Sequence, residues 1–85
     1  MPPVTIYTAA FCPYCQSAKR LLKQKAVPFQ EIDVSGRAAE REALRLKAGG
    51  QTTVPQIWIG EIHVGGSDDL YALEQSGRLD PLLHG

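Results

Sequence analysis

The sequence predicts an α/β fold, a four-stranded mixed sheet with helices on both faces in the order β-α-β-α-β-β-α. Three observations carry this expectation. β-branched and aromatic runs alternate with runs of helix formers along the chain, the pattern of layered α/β domains. The first strand, helix and strand together take about thirty residues, the length of a βαβ unit, whose strands are parallel with a right-handed crossover. A two-residue Gly60-Glu61 step separates the last two strand-like runs and reads as a hairpin turn. The 85 residues leave room for one core, so residues 1–85 are expected to form one domain.

Val4 to Thr8 (VTIYT) is β-branched and aromatic and makes the first strand. Cys12-Pro13-Tyr14-Cys15 opens the first helix, with Pro13 at the first helical position, where its missing N–H costs nothing. Ala18, Leu21 and Leu22 recur at helical spacing, while Lys19, Arg20 and Lys23 take the wet side. Pro28 follows the end of that helix, and Phe29 to Val34 (FQEIDV) alternates as the second strand. Ser35-Gly36 turns the chain into a helix over Arg37 to Ala48, rich in good helix formers. Glu40, Arg41 and Arg45 are spaced there for helical ion pairs, and Gly49-Gly50 stops the helix. Gln56 to Ile59 and Ile62 to Val64 are the hairpin strands, and Gly65-Gly66 breaks the second. Ser67 is expected to cap the next helix, with Asp68 and Asp69 complementing its dipole and Leu70 and Leu73 facing the core. Gly77 ends it, and Leu79 to Leu83 forms a last helical turn that packs Leu82 and Leu83. Trp58 reads as a core or sheet-surface residue, and His63 and His84 as structural or exposed.

Composition narrows the function. Apolar residues are 44% of the chain and charged residues 21%, a globular mix. Lys plus Arg is 9 and Asp plus Glu is 9, so the net charge is zero. No positive excess is available to neutralise phosphates, and a nucleic-acid partner is not expected. The apolar runs are too short to span a membrane. Met1-Pro2-Pro3-Val4 lacks the charged-then-apolar pattern of a secretory signal, so a cytoplasmic location is expected. In such a reducing compartment two cysteines argue against a structural staple.

Cys12 and Cys15 follow the first strand of the βαβ unit and sit at a helix start, the context of a redox pair. Unpaired N–H groups and the positive end of the helix dipole favour a thiolate there. A thiolate is the nucleophile of disulfide exchange, so Cys12, at the helix edge, is the expected attacker. Cys15 lies about one turn deeper and is placed to attack a mixed disulfide on Cys12. Zinc would need two further ligands, and His63 and His84 lie far apart without metal-site spacing, so no metal is expected. A purely structural disulfide across so small a loop would contribute little.

The second half of the chain offers a pocket. In Thr52-Thr53-Val54-Pro55 a proline stands just before a strand. It either begins an edge or marks a cis peptide in a tight turn. Such a turn would leave the N–H and C=O of Val54 free to pair with an extended peptide. In Gly65-Gly66-Ser67-Asp68 the glycines let a ligand approach the backbone. The N–H groups of Ser67 and Asp68 would hold a carboxylate and the Asp68 side chain an amine, together suiting an α-amino-acid head group. The plainer alternative is an ordinary N-cap.

In this order and spacing, Cys12-Pro13-Tyr14-Cys15, Thr53-Val54-Pro55 and Gly65-Gly66-Ser67-Asp68-Asp69-Leu70 resemble a dithiol glutaredoxin, closest to the short bacterial glutaredoxin 3 type. The resemblance runs from Val4 to Leu83. It implies a thioredoxin-like fold, a cis Val54–Pro55 peptide, and reduction of protein and low-molecular-weight disulfides at the expense of glutathione. Glutathione would be a co-substrate, with no tightly bound cofactor. Cys12 resembles the nucleophile that takes up glutathione. Cys15 resembles the resolving thiol, needed for protein disulfides but not for deglutathionylation. Tyr14 resembles the aromatic that flanks the tripeptide, Val54 the residue whose backbone pairs with its cysteinyl part, and Gly66, Ser67 and Asp68 the γ-glutamyl site. Gln51, Thr53 and Pro55 complete the expected glutathione contacts. Disulfide-containing or glutathionylated proteins, ribonucleotide reductase among them, are the partners the family suggests, and a monomer is expected.

Two departures bear on the site. Many family members carry a lysine shortly before the first cysteine, where this chain has Ala9-Ala10-Phe11, and some carry an arginine where it has Gln51. A neutral glutamine still donates to a carboxylate, but without charge. The expected cost of one such exposed contact is ~0.5–1 kcal/mol, a few-fold in affinity. Arg41 and Lys47 are the candidate substitutes. Two other functions share parts of the pattern. A shared iron–sulfur cluster would use Cys12, but Pro13 stiffens the loop where cluster binders usually have Gly or Ser. A redoxin fed by thioredoxin reductase would explain the missing cations, but not Tyr14 and Ser67-Asp68.

Overall fold

The computed structural model describes residues 1–84. Its elements are β1 (Val4–Thr8), α1 (Pro13–Gln24), β2 (Gln30–Asp33), α2 (Ala38–Lys47), β3 (Gln56–Ile59), β4 (Ile62–Gly65), α3 (Ser67–Gln75) and α4 (Leu79–His84). The four strands form one sheet in the order β2-β1-β3-β4. β1 pairs with β2 in parallel, while β3 runs antiparallel to both β1 and β4. The expected α/β architecture, a mixed sheet with helices on both faces, is the one observed.

Alternation along the strands divides the core. Val4 and Ile6 of β1 and Ile57 and Ile59 of β3 point to one face, where Leu21 and Leu22 of α1, Leu70 of α3, and Leu79 and Leu83 of α4 cover them. Tyr7 and Trp58 point to the other face, against Leu44 of α2, with Val34 and Ala48. The central strands are therefore buried on both sides and read as almost continuous apolar runs. Ile6, Leu22, Ile57 and Leu70 are each wholly buried, worth about 1.5–3 kcal/mol per side chain. Tyr71 Oη donates to the Ser17 carbonyl at 2.9 Å and ties α3 to α1. Lys25, just past α1, reaches Glu74 at 2.8 Å and Asp80 at 2.9 Å, joining the ends of three helices.

Several local expectations are corrected. Gly66, not Ser67, is the N-cap of α3, and Ser67 is already helical. The cap is made by Asp69, whose Oδ2 accepts from the Gly66 N–H at 2.9 Å; a carboxylate one turn in reaches back where a glycine supplies no side chain. Gly65 belongs to β4 rather than breaking it. On α2 the ion pairs are Arg37–Glu40 and Glu42–Arg45, each three residues apart, rather than pairs among Glu40, Arg41 and Arg45. Among the described residues no helix is long and apolar enough to cross a membrane.

Candidate active site

β1 ends at Thr8, and a short loop leads from its C-terminal end into α1 at Pro13. That loop is pinned. Val34 N–H donates to the Thr8 carbonyl at 2.8 Å, and Ala10 N–H donates to Ser35 Oγ at 2.6 Å. Cys12 is the N-cap of α1, with extended backbone, and Pro13 follows in the first turn. Its sulfur accepts the Cys15 N–H at 3.1 Å. An N-cap acceptor meets one of the orphan donors of the helix start, here with sulfur in place of oxygen. The first turn of α1 holds no acidic residue, so nothing there opposes negative charge on that sulfur.

The two thiols differ in environment. Cys12 is half-buried and Cys15 fully buried. Burial, followed by the hydrogen bond to Cys12, pushes the Cys15 thiol up to about 12. Charge on Cys12 acts in the same direction, while Lys19 acts against it. Burial is the largest of these causes, so Cys15 is held as a thiol behind Cys12.

The Val54–Pro55 peptide is cis. The Cys12 thiol sulfur lies 3.8 Å from the Val54 carbonyl oxygen, so this turn sits directly against the nucleophile. Beside it is an open cavity of about 220 Å³. Tyr14 from α1, Gln51, Thr53, Val54 and Pro55 from the turn, and Gly66, Ser67 and Asp68 from the start of α3 all line it. Each of the three motifs thus contributes to one wall of a single cavity. The first-turn N–H groups of Ser67 and Asp68 have no acceptor within the helix and make this end a seat for an anion. Tyr14 is 64% exposed and stands free to cover a ligand.

The structure does not bring Arg41 or Lys47 to the cavity. Lys47 Nζ instead lies 4.4 Å above the Trp58 ring, on the α2 side of the sheet. Two lining residues escaped the sequence reading: Asp69, which was assigned only to the dipole, and Gln56. Gln56 is almost fully buried, and a polar residue opening the apolar run Gln-Ile-Trp-Ile was the available signal. Its Nε2 donates to Gln51 Oε1 at 3.2 Å and to Thr53 Oγ1 at 3.1 Å. Its Oε1 meets His63 Nε2 at 2.6 Å, and the His63 ring stacks on Trp58 with centroids 4.4 Å apart. Phe11 was also missed. It precedes the nucleophile with a left-handed φ of 57° and its side chain is fully exposed. No group of three or more His, Cys, Asp or Glu among the described residues is placed to hold a metal.

Comparison with known proteins gives a consistent relation. Residues 4–64 match the family model described as glutaredoxin. The chain is 64% identical over 83 residues to a glutaredoxin of Pseudomonas aeruginosa, covering 98% of each chain. It is 57% identical over 83 residues to glutaredoxin 3 of Escherichia coli, covering 98% of this chain and 99% of that one. Among solved structures, the buckwheat glutaredoxin–glutathione complex superposes with a TM-score of 0.86 at 31% identity, over 96% of this chain and 76% of that one.

Proposed function

The chain belongs to the glutaredoxin family of glutathione-dependent disulfide oxidoreductases, and from that premise we propose that it reduces protein disulfides and glutathione mixed disulfides through Cys12 and Cys15. The observation that carries this is the placement of the Cys12 sulfur: at a helix N-cap, on the Cys15 N–H, and against the cis turn that walls the cavity.

Glutathione would lie along that cavity. The Ser67 and Asp68 N–H groups take the γ-glutamyl carboxylate, and the Asp68 carboxylate takes its amine. The Val54 backbone pairs with the cysteinyl part in the manner of an added strand. Tyr14 packs on the tripeptide, and Gln51 and Thr53 face its glycine carboxylate.

On a glutathione mixed disulfide, the Cys12 thiolate attacks the glutathione sulfur. The substrate thiolate leaves, and Cys12 keeps the glutathionyl group. A second glutathione thiolate then attacks that sulfur, releasing glutathione disulfide and the Cys12 thiolate. On a protein disulfide, Cys12 forms a mixed disulfide with the protein, and Cys15 attacks the Cys12 sulfur and expels the second protein thiolate. Two glutathiones then reduce the Cys12–Cys15 disulfide. Cys15 acts second because it is buried behind Cys12 as a thiol. Once Cys12 is in a mixed disulfide, the hydrogen bond and charge from Cys12 no longer add to the effect of burial, which remains the largest cause of its raised value.

We further propose a monomer working in the reducing cytoplasm on glutathionylated or disulfide-containing proteins, ribonucleotide reductase among them. A coupled NADPH assay on a small glutathione mixed disulfide tests the assignment. One arm contains glutathione and glutathione reductase; the other contains thioredoxin reductase alone. Turnover in the first arm only is expected. Turnover in the second only would mean that the uncharged Ala9 and Gln51 mark a different electron donor.

A further inference from the structure

We infer that Gln56, oriented by His63, is a positioning residue that fixes the hydrogen-bond polarity of the cavity wall, making Gln51 and Thr53 present donors to a carboxylate. This rests on the glutathione reading above and goes beyond it, because Gln56 itself has almost no exposed surface.

The Gln56 amide has two N–H groups and one carbonyl oxygen. Both wall residues offer an oxygen to its nitrogen: Gln51 Oε1 at 3.2 Å and Thr53 Oγ1 at 3.1 Å. Each is thereby left with its donor for the cavity, the Gln51 amide NH2 and the Thr53 hydroxyl proton. A wall that presents donors suits a carboxylate better than an amide, whose NH2 would meet them, or an amine. The same framework admits the opposite polarity if the Gln56 amide turns over, since Gln51 and Thr53 would then donate inward. The tautomer of His63 decides between the two. His63 Nε2 lies 2.6 Å from Gln56 Oε1, so the observed orientation requires the proton on Nε2, which then donates and matches every bond; a proton on Nδ1 would match the turned-over amide instead. The His63 ring is in turn held flat on Trp58, with 13° between the ring planes. The chain therefore uses an oriented neutral amide where an arginine, which has no acceptor to misplace, would need no such support.

The test compares kcat/KM for a small mixed disulfide of glutathione with that for the same compound amidated at the glycine carboxyl. The wild-type protein should prefer the carboxylate form by about tenfold, the value of a hydrogen bond to a charged group. Gln56→Met should abolish most of that preference, and Gln56→Glu, which only accepts, should reverse it. His63→Phe keeps an aromatic ring for the Trp58 stack but removes the donor, and should reduce the preference with Gln56 intact. Gln51→Arg in the Gln56→Met background should restore it. A preference unchanged in both Gln56→Met and His63→Phe overturns the inference. So does an equal loss on both substrates, which would mark a merely structural role. Wild-type protein that turns over neither substrate would refute the glutathione reading itself.

Discussion

Replacing Gly65 by alanine tests how the start of α3 is seated at the site. Gly65 has φ +111°, where an L-residue is strained by about 1–2 kcal/mol. A Cβ there would also overlap the Asp69 carboxylate, lying 3.0 Å from its Cγ. Asp69 must then release the Gly66 N–H that it holds at 2.9 Å, and the lost cap costs about 1 kcal/mol. The sum is about 2–3 kcal/mol. Gly77 is the control. It has φ +72° and open space around the same added carbon, so its alanine variant should lose about 1 kcal/mol from backbone strain alone. Urea unfolding followed by Trp58 fluorescence compares the two, and the expected gap is at least about 1 kcal/mol, or roughly 4–8 °C in Tm for a domain of this size. Gly65→Ala should also raise KM for glutathione, because Ser67 and Asp68 move with the helix start, while Gly77→Ala should not. Equal stability losses would refute the role given to Asp69.

Phe11→Gly should stabilise the protein by about 0.5–1 kcal/mol, since the side chain is fully exposed and φ 57° suits glycine; a Tm that falls would mean Phe11 makes contacts that stabilise the fold. Cys15→Ser should retain turnover of a small glutathione mixed disulfide and lose most reduction of a protein disulfide. Parallel losses in the two assays would contradict the resolving role. The Thr8 hydroxyl, followed by Lys19, holds the Glu31 carboxyl below its ordinary value. A depressed folded value contributes stability that is present above the unfolded carboxyl range, near about pH 4.3, and is lost as pH falls through the folded value. The stability difference between wild type and Glu31→Gln should therefore shrink from about pH 5 downward, and a difference independent of pH would disprove this linkage.

How far the sequence could be read depended on whether a residue's role was local. VTIYT, the Gly60-Glu61 turn and Pro13 at a helix start each act through their immediate neighbours, and each element stands where its own residues place it. The motif residues, three short segments distant in sequence, meet at one cavity only through the tertiary fold, and their shared role was legible through the family resemblance rather than through a local signal. Ser67 was misread because Ser before two carboxylates is a strong capping signal, yet Asp69 out-competes it by reaching back to Gly66. Gln56 was passed over because its partners, Gln51, Thr53 and His63, come together only when the turn and the β3–β4 hairpin fold side by side. Lys47 looked available from its place on α2, but its Nζ sits 4.4 Å over the ring of the buried Trp58 rather than at the cavity.

The central claim is that the Cys12 sulfur is the attacking group. The most direct measurement is kcat/KM of Cys12→Ser on a small glutathione mixed disulfide, with glutathione and glutathione reductase supplied. The account predicts a fall to the uncatalysed background, with the thermal unfolding curve close to that of the wild type because Cys12 is only half-buried. Turnover retained by Cys12→Ser would contradict it.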